Sequence, residues 1–117
     1  MADNLRILLV EDDVLIGMML ADMFDALGLP EPAQATSNDA ALAIIAAESL
    51  DGALVDINLG DEKGWPIADA LAARGVPFAF TSGGGDILPP AHAHRKVVAK
   101  PFRISDIEAA LAAFSPE

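Results

Sequence analysis

Short apolar runs and helix-spaced apolar sets take turns along this chain, and each run stops on a polar residue. Leu5-Arg6-Ile7-Leu8-Leu9-Val10 is the first run, and it ends at Glu11-Asp12-Asp13. Leu15, Ile16, Met19, Leu20, Met23, Phe24 and Leu27 then recur at helical spacing, with Gly28 as a stop signal. Ala33 to Thr36 reads as a weak strand, and Ser37 and Asn38 are candidate caps for a helix carrying Leu42, Ile44, Ile45 and Ala46. Asp51-Gly52 marks a turn, and Ala53-Leu54-Val55 is a short run that ends at Asp56. Ile67, Ala68, Leu71 and Ala72 form another helix-spaced set, closing at Gly75. Val76 to Thr81 is a strand candidate broken by Ser82-Gly83-Gly84-Gly85. Val97-Val98-Ala99 is the last strand and ends at Lys100-Pro101. The final helix is expected to open on Ser105 and Glu108 as a capping-box pair and to bury Ile107, Leu111 and Phe114.

This is a strand-helix unit repeated about five times, with runs too apolar to alternate. Strands of that kind are buried on both faces, as in a parallel sheet covered by helices. The fold class expected is therefore α/β. With 117 residues and no linker, low-complexity tract or internal repeat, residues 1–117 read as one domain. Only Ser115, Pro116 and Glu117 follow Phe114, so no output domain is expected after it. The fourth helix is the weakest unit. Residues 86–95 contain Pro89-Pro90, and a proline inside a helix costs roughly 3 kcal/mol. One turn or a mobile loop is expected there.

Charge narrows the choice of partners. Eighteen Asp and Glu stand against seven Lys and Arg, a formal net charge of -11. Such a surface repels phosphate backbones and anionic membranes, so no nucleic-acid or membrane partner is expected. There is no Cys, which excludes disulfides and thiolate metal sites. Charges interrupt every apolar run well short of a membrane span, and no signal pattern opens the chain, so a cytoplasmic protein is expected.

The candidate chemistry is positional. Glu11-Asp12-Asp13, Asp56, Ser82 and Lys100 each sit where a strand-like run stops. In an open parallel sheet, ligands bind at the carboxyl ends of the strands, so these residues would meet at one edge. Two carboxylates about 4 Å apart repel by ~4 kcal/mol at an effective dielectric near 20, which calls for a cation. Oxygen ligands with open positions suit Mg²⁺, with Mn²⁺ as an alternative. A carboxylate beside such a metal can attack phosphorus, with Lys100 and Ser82 contacting the phosphoryl oxygens.

Leu-Leu-Val-Glu-Asp-Asp at 8–13, Ala-Leu-Val-Asp-Ile-Asn-Leu at 53–59, Phe-Thr-Ser-Gly at 80–83 and Ala-Lys-Pro-Phe at 99–102 resemble the CheY-like receiver domain of two-component response regulators. The resemblance covers nearly the whole chain, and the four motifs fall in order at matching spacings. It implies a doubly wound, flavodoxin-like sheet of five parallel strands in the order 2-1-3-4-5, with helices on both faces and a fourth helix that is short or disordered. It implies Asp56 as the phosphoacceptor, Glu11 and Asp12 as the acidic pair with Asp12 a direct metal ligand, and a metal-facing backbone carbonyl at Asn58. Ser82 is implied as the hydroxyl that moves toward the phosphate, with Thr81 as the neighbouring alternative. Pro77, five residues before Ser82, favours Ser82. Lys100 is implied as the phosphate-binding lysine, followed by a cis peptide into Pro101, and Asp13 falls outside the metal site.

Some positions depart from the family pattern. Val97 stands where many receivers carry a Tyr or Phe that swings inward, and Gly60 where proline is frequent. The stretch from Ser82 to Lys100 is short by about a helical turn. Pro77-Phe78, Phe80 and Ser82-Gly83 resemble a proteobacterial subgroup with a Pro-Phe-x-Phe-Ala-Thr-Gly signature and an unusual fourth-helix region.

Taken singly, these residues have ordinary structural explanations: acids after a strand cap helices, and a lysine before proline is a solvated loop residue. Gly83-Gly84-Gly85 lacks the downstream Gly-Lys-Ser/Thr of a P-loop and reads as a flexible connection. His92 and His94 flank Ala93 with no third ligand nearby and are expected in an exposed loop. Met18, Met19 and Met23 read as first-helix residues, some in the core and some on its flank. Trp65, close to Asp56 in sequence, is a candidate fluorescence reporter. The favoured function is phosphate reception from a histidine kinase or histidine phosphotransfer protein, followed by contact with a downstream protein, by a monomer or weak dimer. A turnover enzyme is not expected. An Asp-nucleophile phosphatase needs a second Asp two residues on, where this chain has Asn58. A flavin binder is poorly served by one Trp and no Tyr. A phosphate-independent interaction domain is the remaining alternative, kept open by Val97 and the fourth helix.

Overall fold

A computed structural model describes residues 5–114. Its main sheet has five strands: β1 (Ile7–Val10), β2 (Ala33–Ala35), β3 (Gly52–Asp56), β6 (Phe78–Ser82) and β7 (Val97–Ala99). All pair in parallel, in the spatial order β2-β1-β3-β6-β7. Counting these five alone, that is the doubly wound order 2-1-3-4-5. A hairpin of β4 (Asn58–Leu59) and β5 (Glu62–Lys63) forms a separate two-stranded sheet. The helices are α1 (Val14–Ala26), α2 (Asn38–Ala47), α3 (Trp65–Ala73) and α4 (Ile104–Ala112).

β1, β3 and β6 are buried at every position, which is why their sequences do not alternate. Their side chains still alternate in space, with period two, and so divide the core between the two faces. Leu8, Val10, Val55, Phe78 and Phe80 pack with Ala41 and Ile45 of α2 and Ile67, Ala68 and Leu71 of α3. Ile7, Leu9, Leu54, Ala79 and Val98 pack with Leu20 and Phe24 of α1 and Ile107, Ala110 and Leu111 of α4. Phe114 closes this second face against Gly52, where a Cβ would run into its ring.

Asp13 caps α1, as an acid after a strand can, its Oδ1 accepting from the Leu15 and Ile16 amides at 2.9 and 3.3 Å. Two expected caps are corrected. Ser37 alone caps α2 through its Oγ, while Asn38 is buried and donates to Glu62 Oε1 and the Lys63 carbonyl. The α4 cap lies at Arg103 rather than Ser105, with the Asp106 carboxylate accepting from the Arg103 amide at 2.9 Å. Ile104 follows directly, so the helix starts two residues earlier than a Ser105 cap allows. The β4–β5 hairpin was not foreseen. Gly60, at φ 63°, supplies the left-handed residue that its two-residue loop needs.

In place of a full fourth helix there is one 3-10 turn at Pro90–His92. His94 is exposed as expected, but His92 is buried. Its Nε2 lies 2.8 Å from Asp69 Oδ1 on α3, and its ring stacks edge-on against Phe78 and Phe80. The Arg95 guanidinium lies over the Phe78 ring, 4.2 Å from its centre. A histidine in a polar, proline-rich stretch is thus the apolar anchor that ties this segment to the sheet. Among the described residues, no helix is long and apolar enough to cross a membrane.

His92→Ala is expected to cost about 2–4 kcal/mol in urea denaturation, because it empties a packed site beneath two phenylalanines. His94→Ala is expected to cost less than about 0.5 kcal/mol. Equal, small costs for both would return His92 to the surface.

Candidate functional site

The site forms where β1, β3 and β7 end. Ladder hydrogen bonds run on one residue past β1 and β7: the Glu11 amide donates to the Ala35 carbonyl and the Lys100 amide to the Ser82 carbonyl. The period-two alternation therefore carries on into the site. Glu11 follows Ile7 and Leu9, Asp56 follows Leu54, and Lys100 follows Val98, so all three emerge on the α1/α4 side. A cleft of about 340 Å³ opens there, lined by Glu11, Asp12, Asp13, Ile16, Asp56, Asn58, Gly60, Gly83 and Lys100.

Asp56 is buried and held on both oxygens. Its Oδ1 accepts from the Asn58 amide at 3.1 Å and its Oδ2 from Lys100 Nζ at 2.8 Å. Gly64 lets α3 start this close, since a Cβ there would sit 2.7 Å from the Asp56 carbonyl oxygen. Asp12 is exposed, with its Oδ2 accepting from the Gly60 amide at 2.9 Å. Carboxylate oxygens of Glu11, Asp12 and Asp56 lie within 4.8 Å of one another.

Glu11 is the stressed member of this group. It is 5% exposed, and its Oε2 accepts from the Asp13 amide at 3.2 Å. Its Oε1 is 3.0 Å from Lys100 Nζ, an ion-pair contact at angles poor for a hydrogen bond. Burial pushes its pKa up to about 7, and the nearby Asp56 adds to the rise, while Lys100 and the Asp13 amide oppose it. Burial pulls the Lys100 ammonium down, but Asp56 and Glu11 outweigh it and leave the pKa above its ordinary value. The donor set fits a hard divalent cation. It offers three carboxylates on one open edge, including a buried oxygen with no hydrogen-bond partner among the described residues.

The hydroxyls stand differently. Thr81 pairs with Asp56 in register, so the alternation puts it on the same face. Ser82 falls on the opposite face with Phe78 and Phe80. It is buried, and its Oγ donates to Asp86 Oδ2 at 2.5 Å and accepts from the Gly84 amide at 2.9 Å. Neither hydroxyl lines the cleft, although Gly83 does. The Asn58 side chain also turns to Asp86, donating to both of its oxygens at 3.1 and 3.2 Å, while Asn58 Oδ1 accepts from Lys63 Nζ. Hydrogen bonds from Ser82 and then Asn58, with Lys63 close by, hold the Asp86 pKa below its ordinary value. Asp86 was missed in the sequence. Its one signal was an acid following three glycines.

The peptide between Lys100 and Pro101 is cis. Val97 is 41% exposed on β7, away from the cleft. Trp65 is half-buried and stacks edge-on against Phe80, with ring centres 5.5 Å apart.

The family model described as the response regulator receiver domain matches residues 7–112. The chain is similar to the solution structure of SdrG from Sphingomonas melonis Fr1, with 40% identity and a TM-score of 0.82, over 97% of this chain and 98% of that one. The BeF3-activated conformation of SdrG from Pseudomonas melonis Fr1 matches at 40% identity with a TM-score of 0.79, over 97% of this chain and 98% of that one. The receiver domain of the response regulator PhyR from Erythrobacter litoralis matches at 28% identity with a TM-score of 0.76, over 97% and 95% of the two chains. No curated protein sequence matches.

Glu11 gives the site a pH signature. The unfolded chain ionises it near its ordinary 4.5, whereas the folded protein keeps the proton to about 7. Between those values the folded state binds more protons, so stability falls as pH rises and the loss is complete above about 7. Melting curves without divalent ions are expected to show this fall. Glu11→Gln should flatten it, and a profile unchanged by that substitution would acquit Glu11.

Proposed function

Because the chain belongs to the response regulator receiver family, we propose that it accepts a phosphoryl group on Asp56 from a histidine kinase or histidine phosphotransfer protein. Receiver domains are phosphoryl-accepting signalling modules rather than turnover enzymes. In this reading the protein works in the cytoplasm and passes the signal on by protein contact.

One observation carries the reading: a buried carboxylate at the end of the central strand is held on one oxygen by Lys100 and has two further carboxylates within 4.8 Å. An oxygen of Asp56 attacks phosphorus in line. The new P–O bond forms as the bond from phosphorus to the donor nitrogen breaks, and the electron pair leaves with the donor imidazole. Lys100, already bonded to Asp56, pairs with the phosphoryl oxygens as charge gathers on them. The Asn58 amide orients the nucleophile through Oδ1. Glu11, Asp12, Asp56 and the Asn58 carbonyl would hold Mg²⁺ or Mn²⁺. Such an ion, when bound, offsets carboxylate repulsion and neutralises phosphoryl charge.

The donor has a surface to meet. Val14, Leu15 and Met18 on the first turns of α1 are 67%, 75% and 59% exposed, next to Asp12 and Asp13 at the cleft. An apolar patch beside the phosphoryl site suits a helical donor whose histidine must reach Asp56.

Acetyl phosphate with Mg²⁺ should add the mass of one phosphoryl group to wild type and none to Asp56→Asn. A label that survives in Asp56→Asn moves the acceptor elsewhere. Lys100→Ala should fold yet phosphorylate at least about tenfold more slowly by the same measurement. Millimolar Mg²⁺ is expected to raise the melting temperature of wild type, and less so that of Asp12→Asn.

A further inference from the structure

The hydrogen bonding of Ser82 is at odds with a hydroxyl that serves the cleft. A serine has one O–H to donate, and here Ser82 spends it on Asp86. That carboxylate is itself anchored. Asn58, two residues beyond Asp56, donates to both its oxygens, and Lys63 Nζ lies 3.5 Å from Oδ1. The chain turns back onto Ser82 through Gly84 and Gly85, at φ 116° and 79°, a conformation other residues rarely adopt. The glycine run is thus the bend that delivers Asp86, rather than a phosphate cradle.

We propose that Asp86 is a positioning residue, an internal competitor whose carboxylate holds the Ser82 hydroxyl away from the Asp56 cleft until a phosphoryl group draws it off. This rests on the phosphoryl-accepting reading of Asp56. A phosphoryl oxygen and the Asp86 carboxylate are both anionic acceptors for the same proton donor, so Ser82 serves one at a time. The Ser82 backbone borders the cleft. It is the last residue of β6, its carbonyl accepts from the Lys100 amide at 2.8 Å, and its neighbour Gly83 lines the cleft. Asn58 links the two acceptors, since its amide holds Asp56 and its side chain holds Asp86. Release of Ser82 therefore also loosens one end of the 83–95 segment, leaving it on Asn58 and Lys63, while the other end stays pinned by His92 on Asp69. A local exchange at one hydroxyl becomes a change in the surface that a downstream protein can read.

The test is a titration of beryllofluoride, with Mg²⁺ present, read by Trp65 fluorescence and by amide NMR shifts. Asp86→Ala removes the competitor and is expected to tighten beryllofluoride binding about tenfold, equivalent to ~1.4 kcal/mol. Asp86→Asn keeps a neutral acceptor and should fall between Asp86→Ala and wild type. In a Ser82→Ala background, Asp86→Ala should change nothing, because no hydroxyl is left to release. Melting curves of each variant check that the fold is retained. If Asp86→Ala binds no tighter than wild type, the latch is wrong. If the gain persists without Ser82, Asp86 acts by its charge alone and the latch is equally wrong. If the gain instead vanishes with Thr81→Ala, the hydroxyl involved is Thr81. Wild type that binds no beryllofluoride, or Asp56→Asn that binds it as well as wild type, overturns the acceptor reading itself and the latch with it.

Discussion

Three carboxylates crowd the carboxyl edge of one parallel sheet, and among the described residues Lys100 is the one cation lining their cleft. The fold could not place them otherwise. Parallel strands bring all their carboxyl ends to the same edge, so residues 11, 56 and 100 meet there whatever the loops do. Lys100 touches Asp56 and Glu11 at 2.8 and 3.0 Å, yet Glu11 still holds its proton to about 7. One ammonium does not satisfy two buried acids with a third beside them. The shortfall is what makes this cluster a fit for a hard divalent cation.

The same two-residue alternation that divides the core also divides the chemistry. Glu11, Asp56 and Lys100 leave the sheet on the α1/α4 side, while Ser82, one residue out of phase with Thr81, leaves on the α2/α3 side among Phe78, Phe80 and His92. Asp56 and Ser82 thus stand in different environments, one on the open cleft and one tied to the segment in place of a fourth helix. In the proposed reading, that separation is what would let a phosphoryl group on Asp56 act on the far side of the sheet.

Much of this was legible in the residues. Uninterrupted runs such as Ile7–Val10 and Gly52–Asp56 read as buried parallel strands because burial on both faces leaves no polar alternation to find. The order of strands and the cis peptide at Pro101 were implied by the receiver resemblance, the acidic cluster followed from where the apolar runs stop, and the short fourth unit from Pro89-Pro90. What escaped was of one kind. His92, Asp86 and Arg103 lie in segments without periodicity, where side-chain partners come from distant parts of the chain. His92 is polar by type but packs as an aromatic ring, and its burial depends on Phe78 and Phe80 lying beneath a loop. The β4–β5 hairpin is too short for any alternation to register, and only Gly60 marked it.

The departures at the fourth unit are better understood as a different mechanical arrangement than as losses. Val97 is exposed and apolar, so β7 carries no aromatic at the position where many receivers have one. The 83–95 segment has its own fastenings instead: a carboxylate at one end on Ser82 and Asn58, and an imidazole at the other wedged over two phenylalanines. The first fastening is polar and, in the proposed latch, competes with an anion at Asp56. The second joins a buried ring to Asp69 and two phenylalanines and meets no such competitor. Under the latch proposed above, such a strap would pivot on His92 rather than melt, and so present two distinct surfaces without a full fourth helix.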